Sequence, residues 1–226
     1  MSALLAIWLG AVRAGVASPD DLAKMVRGDD PRHLVVGLDD VLELHELPSS
    51  LTGQVSLALP VPGDPVGLGG PASFNLAAME TGEAVVVGPV GLVPVEDART
   101  VVWTAHPADP VPWVDERETA AELRLALADV TRRLVDLEVA DWQPDIPDLL
   151  LNLRHRAPLP LPPGYDARRI ETTERAVLCL DILELARSGE GGAVSAYEMD
   201  RRRAALDELG RAARRALVGA CFSRTD

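Results

Sequence analysis

Apolar positions at the start of the chain recur at three- and four-residue spacing: Leu4, Leu5, Trp8, Leu9 and Val12 share one helical face. That spacing predicts a core helix ending near Gly15. Ser18, Pro19, Asp20 and Asp21 then supply a cap, a first-turn proline and first-turn acids for a second helix reaching about Arg27. Together they form an N-terminal helical hairpin. Met1–Ala17 also has the outline of a signal peptide, an apolar run ending in small residues. No basic residue precedes the run and Arg13 interrupts its far end, which favours a core helix.

Beyond Gly28–Pro31 the pattern shortens. His33–Val36 reads as a strand, and Asp39–Leu47 fits a strand or a capped helix equally well. Gln54–Pro60 reads as a strand, Pro62–Gly70 as a turn-rich loop, and Pro71–Glu80 as a helix that Gly82 ends. Glu83–Val87, Val90–Val95 and Thr100–His106 are β-branched runs separated by turn residues, and they are expected to pair as antiparallel neighbours.

The second half changes period. Leu123, Leu127, Val130, Leu134 and Leu137 predict a long amphipathic helix over Glu116–Val139. A short helix is expected from Pro147 to Arg156, then an extended proline-rich strap over Ala157–Gly164. Two last helices, Asp166 to Arg187 and Ala193 to Phe222, are split by a glycine-rich turn. The whole reads as an α+β fold: an N-terminal helical hairpin, a small mostly antiparallel sheet with one intervening helix, and a C-terminal helical half. A single domain over 1–226 is expected, with an α+β part at 1–112 and a helical part at 113–226.

Composition narrows the function classes. The 226 residues carry a formal charge of −13, and residues 1–115 hold 5 basic against 15 acidic side chains. An acidic front half repels phosphate backbones and anionic lipid, so no nucleic acid and no membrane partner is expected. No apolar stretch approaches the roughly 18 to 20 residues a membrane span needs. The two cysteines, Cys179 and Cys221, form no CxxC pair and read as buried free thiols, with a bridge between packed helices as the alternative. A cytoplasmic location follows from this reading.

Candidate chemistry is sparse. The strand, glycine-rich loop and helix over 54–80 has the outline of an anion cradle, in which Gly67, Gly69 and Gly70 allow close backbone approach and Ser73 and Asn75 add polar contacts. It matches neither GxxxxGK[ST] nor GxGxxG, and Asp64 puts a negative charge inside it. A rigid connecting loop explains the same residues. His33 and His45 lie near Asp39, Asp40, Glu43 and Glu46 without a metal-ligand spacing, so a solvated acidic edge is expected, with no metal and no cofactor. No nucleophile motif occurs and no catalytic residue is nominated.

Arg201, Arg202, Arg203, Arg211, Arg214 and Arg215 stud the last helix around a seam of Leu206, Leu209, Ala213 and Leu217. Asp200, Asp207 and Glu208 interleave with them, as on a solvated face with local ion pairs. The small residues Ala205, Ala212, Ala213, Ala216 and Ala220 permit close helix packing. These features lead to a non-enzymatic interaction or assembly protein that uses its C-terminal helices for a homodimer or a protein partner. The alternative is a small-molecule binding protein or enzyme holding an anionic ligand at 62–75.

Overall fold

The computed structural model describes residues 1–28, 32–97, 100–136, 157–188 and 196–223. These form two compact units. The first comprises Met1–Val114, Pro160–Ile170 and Val218–Asp226, and the second Asp115–Leu159 and Glu171–Leu217. The predicted helix at 147–156, Leu137 and the glycine-rich turn before the last helix lie outside the described residues.

In the first unit, helices α1 (Ser2–Arg13) and α2 (Pro19–Arg27) form the hairpin. Six strands make one sheet: β1 (Arg32–Val36), β2 (Leu42–Glu43), β3 (Val55–Ala58), β4 (Ala84–Val87), β5 (Val90–Asp97) and β6 (Thr100–Pro107). Their order is β2-β1-β6-β5-β4-β3. Every neighbouring pair is antiparallel except β1 and β6, which run parallel with Val35 opposite Trp103. The class is α+β, as the periodicity predicts.

The ambiguous stretch Asp39–Leu47 is divided between both readings. Leu42–Glu43 pairs with β1, Leu44–Glu46 turns as a 3-10 helix, and helix α3 (Leu47–Ser50) follows. A reciprocal cap makes the switch: Glu46 accepts from the Glu43 N–H at 2.7 Å while the Glu43 side chain accepts from Glu46. Ser18 and Asp21 make the same kind of box at the start of α2, and the Ser18 contacts hold the Asp21 carboxyl below its usual range.

Helix α4 (Ala72–Thr81) packs against β5 and β6, whereas α1 packs against β3 and β4. Phe74 and Ala78 of α4 are buried among Ala58, Ala84, Val86 and Val93. Every residue of β3 and β4 is buried, which is why AVVV is a continuous apolar run and VSLA carries only the small Ser56 among its apolar residues. Burying a side chain such as Phe74 contributes about 1.5–3 kcal/mol. Gly91 lets α4 approach β5, because a Cβ there would stand 2.8 Å from Phe74 Cζ and closer still to the ring edge.

The proline strap serves this unit from a distance in sequence. The Trp8 indole N–H donates to the Pro160 carbonyl at 2.8 Å, and the Tyr165 hydroxyl donates to the Ala220 carbonyl at 2.6 Å. Ser223 then pairs with Val55 at the edge of β3. Arg13 donates to the Leu51 carbonyl at 2.7 Å and to the Gly53 carbonyl, and its burial lowers the guanidinium pKa from its ordinary value.

The second unit is helical among the described residues. It contains α5 (Glu116–Asp136) and most of α6 (Ala167–Ser188) and α7 (Ala196–Cys221). The predicted seam is buried at Leu123, Val130, Leu206, Leu209, Ala213 and Leu217. Arg214 departs from the expected solvated face: it is buried, unlike Arg211 and Arg215 on the same helix. No described helix is long and apolar enough to cross a membrane.

Candidate functional site

Helices α5 and α7 line an open groove of about 640 Å³ in the second unit. Leu125, 73 % exposed, stands on its α5 side, and Ala126 and Ala212 contribute small apolar surface. The buried stripe of α5 runs through Leu123 and Val130. Leu125 lies two residues, or about 200°, away from Leu123 on the helix, so the core cannot hold it. An apolar side chain off the buried face is the one signal in the sequence that marks this surface.

The charged groups of the groove fall into two sets. Asp129 pairs with Arg133, which also reaches Glu208 at 2.9 Å and so ties α5 to α7. Among the described residues Glu122 and Arg215 line the same groove with no ion pair or hydrogen bond, and Arg211 reaches the Asp207 carbonyl at 3.4 Å. Three of these groove charges are thus held within the unit, and an acid and a base are left over. The neighbouring arginines are occupied locally: Arg187 pairs with Asp207 at 2.8 Å, and Arg202 donates to the Ala186 carbonyl at 3.2 Å.

The glycine-rich loop lies in the first unit. Val61 and Asp64 close a tight turn through two backbone hydrogen bonds of 3.0 and 2.8 Å. Gly67 has φ +82° and backs onto β3, where a Cβ would meet the Leu57 carbonyl and the Ala58 Cα. Gly69 approaches the Asp109 carbonyl, and the Gly70 carbonyl accepts from the Asp109 N–H at 2.8 Å. The Gly70 N–H donates to Asn75 Oδ1 at 3.1 Å. Gly69, Gly70 and Asn75 are therefore brought together around Asp109, whereas Gly67 faces β3 and Ser73 sits exposed on the first turn of α4. The close approaches that need glycine here are to the chain's own backbone, and the Asp109 carboxylate lies beside Gly70.

His33 is not part of a solvated edge. It is buried, and its Nδ1 accepts a 3.2 Å hydrogen bond from the Trp103 indole N–H, which is itself fully buried. Strand alternation accounts for this, since His33 shares the covered face of β1 with Val35. His45 remains exposed, 3.6 Å from Glu43. Among the described residues no three His, Cys, Asp or Glu side chains are grouped to hold a metal ion.

Cys179 and Cys221 are both buried free thiols. Burial pushes the Cys221 pKa up to about 12, with Arg169 and the N-terminal ammonium acting against that rise. Burial also raises Cys179, against the nearby Arg175. A thiol held protonated is a poor nucleophile.

No curated protein and no solved structure matches the chain. Residues 2–137 match the family described as Rv1486c-like protein, N-terminal domain, and residues 117–218 match the one described as Rv1486c-like protein, C-terminal domain. With well over half its length matched by the first of these, the chain belongs to the Rv1486c-like protein family.

Proposed function

We propose that this chain is a non-enzymatic, cytoplasmic assembly protein that works by associating with a second copy of itself through its C-terminal helical unit. The observation that carries this reading is the α5–α7 groove, where a leucine 73 % exposed stands beside small apolar residues and unpaired charges of both signs. A single exposed leucine is ordinary on a folded surface, so the reading rests on Leu125 taken together with the unmatched charges around it. Charges of both signs on one surface also suit a two-fold contact, in which the same patch faces itself.

Two further features support the rest of the reading. The arginines of α7 are interleaved with acids, Arg202 and Arg211 donate to backbone carbonyls, and the chain carries −13 overall, which disfavours a nucleic-acid surface. The buried thiols and the histidine bound to Trp103 offer no activated nucleophile. Mass measured by light scattering from submicromolar to high micromolar concentration tests the proposal. A rise from one to two chains is expected, and a constant single-chain mass refutes it.

A further inference from the structure

The groove also carries a specific register. Its walls hold one unpaired acid on α5, Glu122, and one unpaired base on α7, Arg215, with Leu125 on the α5 side. No described group within the chain satisfies either charge, whereas the other groove acids, Asp129 and Glu208, are already joined through Arg133. A second copy offers the same two charges on the same two helices. A two-fold axis exchanges them, so each Glu122 gains a base and each Arg215 gains an acid. The small residues Ala126, Ala204 and Ala212 leave room for a helix to enter.

We propose, resting on the self-association reading above, that α5 of each copy seats in the α5–α7 groove of the other across a two-fold axis passing beside Leu125, with Glu122 of one copy meeting Arg215 of the second. Four helices, two from each chain, then pack around the paired leucines. The groove is open and five of its residues are charged, which suits a protein surface better than a small ligand, because ligand pockets are concave and enclose most of what they bind.

Charge reversal tests the register on the intact chain. Glu122→Arg and Arg215→Glu each place like charges together twice per dimer and are expected to weaken dimerisation about tenfold or more. The double variant exchanges the two signs and is expected to recover most of that loss. As an independent measure, the Leu125→Cys variant is expected to cross-link to a dimer under mild oxidation, since a disulfide requires Cα atoms about 4.4–6.8 Å apart. The two native cysteines are buried, so the unaltered chain provides a clean control. Residue 125 is exposed, which keeps this variant folded.

Single reversals that dimerise like the unaltered chain overturn the register, as does a double variant no better than the singles or a Leu125→Cys chain that fails to cross-link. If the unaltered chain is dimeric in those cases, self-association itself stands. A monomeric unaltered chain overturns both and leaves the groove to a different protein.

Discussion

Gly91→Ala isolates the contact that seats α4 on the sheet and thereby positions Ser73 and Asn75. Gly91 lies on β5 opposite His106, with the Phe74 ring over it, and an added Cβ would lie 2.8 Å from Phe74 Cζ and nearer to the Cδ2–Cε2 edge. The ring cannot swing aside freely, because Phe74 is fully buried among Ala58, Ala78, Val86 and Val93. Forcing a methyl into such a site costs about 1–3 kcal/mol. Restricting the unfolded chain offsets about 0.4–1 kcal/mol of this, leaving a net loss of about 1–2 kcal/mol. For a chain of this size that lowers Tm by about 2–8 °C. Urea unfolding of Gly91→Ala, Phe74→Leu and the double variant reads the effect directly. The two costs are expected to be less than additive by about 1 kcal/mol, because the shorter leucine vacates the space the methyl needs. A neutral Gly91→Ala, or costs that add within about 0.5 kcal/mol, would refute steric contact with Phe74 as the reason for glycine.

Three other outcomes follow from the same geometry. Gly67→Ala places a Cβ at φ +82° against the Leu57 carbonyl and should destabilise by about 2 kcal/mol or more, measured by denaturant unfolding. A thermal-shift screen of the unaltered chain with nucleotides, phosphosugars and acyl-CoA is expected to show no stabilisation. A ligand at a hundredfold its dissociation constant would add about 2.7 kcal/mol, and such a shift, lost on replacing Ser73 or Asn75, would restore the anion-binding alternative for the loop. The Cys221 thiol stays protonated in the folded chain up to about pH 12, whereas its unfolded value is 9.0, so between these limits the folded state holds the extra proton and stability falls as pH rises. The slope is about 1.4 kcal/mol per pH unit, and Cys221→Ala is expected to flatten that part of a stability–pH curve.

Elements with strong periodicity were legible in the sequence. The Leu123–Val130 stripe, the Ser18 cap and the β-branched runs each answer to local chemistry: helical spacing, an N–H to be satisfied, a pleated face. Asp39–Leu47 was not legible because its outcome depends on a partner strand. Leu42 and Glu43 are extended where β1 pairs with them, and the chain turns helical one residue later, where that pairing stops. The parallel pairing of β1 with β6 is hidden for the same reason, since nothing within RHLVV records which of five other strands will lie beside it. Sequence proximity places His33 with its acidic neighbours, although alternation on β1 turns it inward to Trp103.

The two candidate sites differ in a way that physical reasoning can separate. Glycines in a loop are conspicuous in a sequence, yet their need is explained as soon as the groups they approach are known, and at Gly67 and Gly69 those groups are Leu57, Ala58 and Asp109 of the same chain. The groove has the opposite character. Leu125, Glu122 and Arg215 are ordinary helix-surface residues one by one, and each acquires meaning only when α5 and α7 are side by side and the intrachain pairs have been assigned. What is left over after that assignment, one apolar side chain and one charge of each sign, is the set of groups that a second copy can satisfy, and the surface that does so is spelled by residues on two helices far apart in the sequence.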